Sequence, residues 1–307
     1  MQPRTAVVVQ KGDHSLGFYE LGSGREVARV PVDRYPHEMA LSRDRTLALV
    51  THFGVALAED DGDGGNTVSV VDLVQRERVA VIDCGRYRRP HGIAMDASDR
   101  AYVLSEGTST LMVIDDPKVG RVSAVTPTGG DGSHMVSVSR DGRFAFCSNM
   151  RSGTITIVEV ARSGGGCISI PVGRRPEGSV LDADESTLYV ANRESGDVAV
   201  VDTRQRTLRG RIRVGAGPVR LCWDERGLLL VALYHARALA VVDPEMAVVV
   251  DRMALPGAPI SIAFDAVSRT AYLSTLEQQV VVVDMATLLV TDRIATRADP
   301  DPVAVIA

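Results

Sequence analysis

The 307-residue sequence has no apolar run of the length a membrane-spanning helix needs, and no excess of basic charge. Its 34 Lys and Arg are outnumbered by 39 Asp and Glu, for a net charge of −5, so there is no electrostatic reason to expect nucleic acid or an anionic membrane as partner. Aromatic residues are scarce at 4%, with Trp223 the only tryptophan, which argues against base-stacking platforms and aromatic sugar clamps. The four cysteines (Cys84, Cys147, Cys167 and Cys222) are scattered and form no CxxC pair, so free thiols are expected rather than a zinc–thiolate cluster. The first residues, MQPRTAVVVQKGDHSLG, break their apolar run at Gln10 and Lys11, too early for a secretory signal; a cytoplasmic protein is expected. GxSxG, HExxH and a phosphate-binding glycine loop are all missing. Long helical periodicity is missing as well.

What the chain does have is a repeat. The segments PHEMALSRDRTLALV at Pro36, PHGIAMDASDRAYVL at Pro90, SHMVSVSRDGRFAFC at Ser133 and PEGSVLDADESTLYV at Pro176 align with one another. PVRLCWDERGLLLV at Pro218, PISIAFDAVSRTAYL at Pro259 and a truncated PVAVIA at Pro302 continue the series. Most steps are 41 to 43 residues, and the first is 54. Within a unit, alternating β-branched strands are separated by Asp, Gly and Ser turns, which predicts four antiparallel strands per unit. Units of this length and texture predict blades of a β-propeller. Before Pro36 the chain supplies three strands, TAVVVQ, HSLGFYEL and REVARVPV, and PVAVIA supplies the missing first one. The expected fold is therefore all-β: one domain, residues 1–307, with seven blades and the seventh built from 1–35 plus 302–307, so that no sheet edge stays open at the closure.

The stretch TLYVANRESGDVAVVDTRQRTLRGRIRVGAGPV, Thr187 to Val219, resembles the YVTN-type propeller repeat, and the resemblance extends over essentially the whole chain. It implies fold and says little about function, since that family spans surface-layer proteins and redox-enzyme subunits. The PHGI form is also similar to the repeats of streptogramin-lyase-type propellers, which open a ring ester with a His, a Glu and a divalent metal. This chain departs from the repeat pattern by placing His where a small or apolar residue is usual.

The residue after each anchor reads His37, His91, His134, Glu177, Val219, Ile260 and Val303. In a propeller the loops into the innermost strands share one face beside the central channel, so a separation of 43 or 54 residues in sequence becomes adjacency in space. The other three histidines, His52, His235 and His14, follow second strands and are expected on the same face. Three imidazoles and one carboxylate suit a borderline divalent ion such as Zn, Fe, Mn, Ni or Cu, held by His37, His91, His134 and Glu177. Glu106 or His52 would then serve as acid or base. Arg220, Arg193 or Arg175 would hold an anionic substrate group, with Tyr234 beside them. A metal-free acid–base version uses the same side chains, and the bland alternative is that they cap the channel mouth through loop carbonyls and water.

Blade one carries extra residues, THFGVALAEDDGDGGNT, whose apolar half FGVALA (Phe53 to Ala58) is expected to be a lid. Its DDGDGG tip lacks the downstream glutamate of an EF-hand loop. Trp223 and Phe264 are expected to pack between blades, and Ala40, Ala94, Ser137 and Ala263 to line the axis. The expected function is an enzyme, a lyase, hydrolase or isomerase, acting on a small polar metabolite. The alternative is a non-catalytic propeller serving as a scaffold for protein partners or metal.

Overall fold

The computed structural model describes residues 4–57, 60–160 and 166–306. Seven four-stranded antiparallel sheets are arranged as blades. Blade four shows the logic of each: Pro176–Leu181, Thr187–Asn192, Asp197–Asp202 and Thr207–Arg213 run from the axis outwards. The two middle strands are buried along nearly their whole length, and they read as near-continuous apolar runs because neighbouring blades cover both faces. The outer strand TLRGRIR is largely exposed and spends four of its seven positions on Arg and Thr, which blunts an edge that would otherwise template aggregation. Apolar clusters fill the gaps between adjacent blades; Trp223 of blade five stands edge-on to Tyr189 of blade four at 5.4 Å, and Phe264 of blade six joins the blade-five cluster. Successive innermost strands touch in ring order.

The ring closes as expected, with Thr5–Gln10 paired to the C-terminal strand, but that strand runs Pro300–Ile306 rather than starting at Pro302. Of the residues assigned to blade seven, 1–3 and 307 lie outside the described residues. All four cysteines are free, and only Cys167 is exposed.

One backbone device sets up the top face. The residue before the anchor adopts a left-handed conformation in six blades: Tyr35 (φ 49°), Arg89 (55°), Gly132 (66°), Arg175 (54°), Gly217 (75°) and Asp299 (51°). For the non-glycine residues this conformation is uncommon and unfavourable, so the surroundings must hold it. What holds it is a hydrogen bond: the carbonyl of each accepts the N–H of the first residue after that blade's second strand, as in Arg89 from Glu106 and Arg175 from Arg193. The same bond forms in blade six from Leu276 to Ala258. The turn aims the residue after the anchor into the channel and lays the post-strand residue over it, giving two stacked rings.

Candidate active site at the channel mouth

The lower ring reads, from blade seven to blade six, Asp301, His37, His91, His134, Glu177, Val219 and Ile260. This corrects the register in blade seven. Val303 was expected there, but Gln10 pairs with Pro300 and Lys11 N–H donates to the Asp299 carbonyl, so Pro300 is the anchor and Asp301 the channel residue. The sequence D-P-D-P places two prolines in the same alternation phase, and only the pairing separates them.

The expected quartet comes together. The rings of His37 and His91 lie 4.0 Å apart, and those of His91 and His134 3.6 Å apart. His134 Nε2 is 3.2 Å from Glu177 Oε2, and its Nδ1 is 2.8 Å from Glu106 Oε2. Burial alone would depress the His134 imidazole, but these two carboxylates raise its pKa to about 9, so at neutral pH it is a buried imidazolium. Burial would likewise raise Glu177, yet the hydrogen bond to His134 and the charges of His134, Arg220 and Arg193 hold it well below the usual carboxylate range. Burial pushes both His37 and His91 well below 6.5, and nearby positive charge, Lys11 and His134 for His37 and His134 for His91, adds to the shift. His91 Nδ1 is 3.1 Å from the His134 carbonyl, which fixes the proton there and leaves Nε2 with a lone pair. Asp301 Oδ2 is 3.1 Å from His37 Nδ1 and 4.0 Å from Lys11 Nζ. Burial raises its carboxyl to about 7, against the pull of Lys11.

His91 Nε2 and Asp301 Oδ1 are buried with no hydrogen-bond partner from the protein, and His37 Nδ1 and Asp301 Oδ2 have none but each other, at 3.1 Å. Buried polar atoms are ordinarily satisfied, by water or a ligand where the protein supplies no partner. All three residues line a cavity of about 340 Å³.

The upper ring reads Lys11, Phe53, Glu106, Met150, Arg193, Tyr234 and Leu276. Arg193 stacks on the Tyr234 ring at 4.4 Å and reaches Glu177 at 3.4 Å, while Arg175 reaches the same carboxylate at 3.4 Å. Arg220 enters from below, bonded to Glu38 and 3.6 Å from Glu177. Glu106 lies behind His134 and does not line the central cavity. Phe53 occupies the ring position; His52 is one residue earlier, the last residue of Leu47–His52. His52 is directed away from the channel cluster, with Nδ1 2.9 Å from Thr67 Oγ1 and 3.7 Å from Asp33, and burial lowers it to about 4 despite Asp33. His14 and His235 remain in the rim turns of the same face.

Glu38 is the residue that sequence reasoning passed over. A bulge between Pro36 and Met39 breaks strand alternation there, so His37 and Glu38 both approach the cluster: His37 Nδ1 is 3.7 Å from Glu38 Oε1. The signal was available, because the same position is glycine in blades two and four, Gly92 and Gly178.

The blade-one insertion roofs the cavity through Phe53, Ala56 and Leu57; Ala58, the last residue of the expected lid, lies outside the described residues. Phe53 meets the His37 and His91 rings edge-on at 5.6 and 5.4 Å. Gly54 (φ 83°) lets the loop fold back on itself: a Cβ there would lie 1.9 Å from Gly65 N. The acidic tip is held by Arg89, whose guanidinium takes the Asp60 and Gly62 carbonyls.

As a metal centre the cluster divides into two halves. His37, Glu38 and His91 present donor atoms within 4.8 Å of one another, and so do His91, Glu106 and His134. His91 Nε2, with no partner, and His37 Nδ1, facing Asp301 at 3.1 Å, offer a divalent ion two nitrogen donors. Both His134 nitrogens are committed to carboxylates, so His134 joins an ion only after losing its proton.

Residues 88–212, spanning blades two to four, match the model of a family described as lactonase, 7-bladed beta-propeller. No curated protein matches the chain. Among solved structures, the periplasmic gluconolactonase PpgL of Pseudomonas aeruginosa is 15% identical over 99% of both chains, with a TM-score of 0.77. A functionally unknown protein from Desulfotomaculum acetoxidans is 12% identical over 98% of both chains, with a TM-score of 0.81. Hydrazine synthase of Kuenenia stuttgartiensis is 18% identical over 92% of both, with a TM-score of 0.76. At these identities the likeness establishes the seven-bladed propeller fold, and the lactonase match covers three of its blades.

Proposed function

We propose that the channel-mouth site hydrolyses the ring ester of a small hydroxy acid. The observation that carries this reading is the gathering of His37, His91 and Asp301, whose buried donor and acceptor atoms find no protein partner outside their own group, at a cavity sized for a small molecule. The match of blades two to four to a lactonase family supports the choice of hydrolysis among the reactions such a site could run.

Ring opening needs a base for water, a stabiliser for the developing oxyanion and an acid for the leaving alkoxide. Neutral imidazoles at His37 or His91 take a proton from water as its oxygen bonds to the carbonyl carbon. Arg220 and Arg193, already oriented by Glu38, Glu177 and Tyr234, supply positive charge to the tetrahedral oxyanion. The ring C–O bond then breaks, and the proton passes from the imidazole, or from the Asp301 carboxyl beside it, to the alkoxide. The product is a hydroxy acid, which releases one proton at neutral pH. A divalent ion held by His37, His91 and Glu38 would, when bound, polarise the carbonyl and acidify water. His134 acts differently from its two neighbours. It shares one positive charge between Glu106 and Glu177, and Arg220, Arg193 and Arg175 complete the balance around Glu177.

The hydrolase reading is tested by proton release from γ-butyrolactone, followed in a pH-stat for untagged wild type and His91→Ala, with metal content measured on both. Turnover that falls at least a hundredfold in the variant is expected. Wild-type protein that releases no protons above background, with or without added divalent ions, contradicts the reading.

A further inference from the structure

The lower ring of the central cavity carries its aliphatic side chains on one side, where Arg220 of blade five and Arg193 also line the cavity. Around the lower ring, blades seven and one to four contribute Asp301, three histidines and Glu177, whereas blades five and six contribute Val219 and Ile260. Above those two stand Tyr234 and Leu276, and Leu57 of the roof also faces the cavity. Leu276 and Leu57 are 45% and 59% exposed, large apolar side chains left open to water at the rim of an otherwise charged mouth. The aliphatic side chains of this sector offer nothing to a hydroxyl, and a bound hydroxyl facing Val219, Ile260 or Leu276, rather than the Tyr234 phenol or Arg220, would lose its hydrogen bonds to water without replacement.

Resting on the hydrolase reading, we infer that the substrate is an amphiphilic ring ester: its carbonyl faces the His and Asp arc, and a short hydrocarbon substituent lies against Val219, Ile260 and Leu276. Polyhydroxylated sugar lactones are the class this sector discriminates against. The volume of about 340 Å³ is at the small end for ligand pockets and limits the substituent to a few carbons. Each methylene buried against the sector is worth roughly fourfold in kcat/KM. Each hydroxyl set against it costs roughly tenfold.

Three lactones of one ring size test this in the pH-stat with the full chain: γ-butyrolactone, γ-heptalactone and D-ribono-1,4-lactone. The expected order of kcat/KM places γ-heptalactone first, at least tenfold above γ-butyrolactone, and the ribonolactone last. In the double variant Val219→Thr/Ile260→Thr, the ratio of γ-heptalactone to ribonolactone is expected to fall at least tenfold. Equal rates on all three, or a preference for the ribonolactone, overturn the inference while leaving the hydrolase reading intact. If none of the three turns over, the hydrolase reading fails, and calorimetry with the two hydroxy acids decides the sector separately. Tighter binding of 4-hydroxyheptanoate than of ribonate supports it, and equal or reversed binding sinks it.

Discussion

Replacing His134 with glutamine removes one buried charge from between two carboxylates while keeping an amide donor in its place. The imidazole is nearly buried, with Glu106 2.8 Å from one nitrogen and Glu177 3.2 Å from the other. Raising its pKa from 6.5 to about 9 on folding corresponds to about 3 kcal/mol of stability. The sign follows from the direction: the contribution is fully present below pH 6.5 and is lost as pH rises through about 9. For a chain of this length, about 3 kcal/mol is roughly 5 °C in Tm. Calorimetry of wild type and His134→Gln between pH 6 and 10 is expected to show a gap of about that size at pH 6, closing towards pH 10. Groups that titrate in both proteins cancel in the difference. A gap that is the same at pH 6 and pH 10 would refute the imidazolium, and with it the argument that His134 is a charge partner.

Asp301→Asn opens a gap with rising pH where His134→Gln closes one, because both pKa values are raised. Because burial raises this carboxyl to about 7, the wild type loses stability as pH rises from the ordinary carboxyl range through about 7. The variant should therefore melt higher than wild type at pH 8 and equal to it at pH 4 in a thermal shift assay, while hydrolysing lactone at least tenfold more slowly. Arg220→Met leaves Glu38 and Glu177 buried without their shared cation and should cost about 3–5 kcal/mol in denaturant unfolding. Phe53→Ala removes a fully buried ring from above His37 and His91 and should cost about 3 kcal/mol or more. It should also speed modification of His91 by diethylpyrocarbonate, read by mass spectrometry. Gly54→Ala forces the loop backbone apart and should accelerate amide exchange across residues 53–57 and 60–65, with blades three to six unchanged.

Much of this was legible in the sequence because a propeller repeats its local instructions. In blade four, the β-branched alternation, the Asp-containing turns and the Gly-Pro junction specify four strands without reference to the rest of the chain. Repetition also turned His37, His91 and His134 into neighbours, and the structure brings each ring within 4.0 Å of the next. What stayed hidden depended on register and side-chain direction. Asp301 was concealed because Pro302 follows the true anchor Pro300 by two residues, in the same phase. Glu38 was concealed by a bulge, which no alternation pattern announces. His52 was read one residue too far along, and its ring turned to Thr67 and Asp33 because the strand pairs it with Thr67. The protonation of His134 was beyond reach as well, since it depends on Glu106 arriving from a neighbouring blade at hydrogen-bond distance.

The central claim is that the lower ring of the channel mouth is where substrate binds, and histidine NMR tests it most directly. The six histidines give six ring Cε1–H signals, assignable by single substitutions. Titration with 4-hydroxybutyrate, the ring-opened form of γ-butyrolactone, is expected to shift His37 and His91 most and to leave His14 and His235 in place. Shifts confined to His14 or His235, or no shift in the ring histidines at saturating acid, would contradict it.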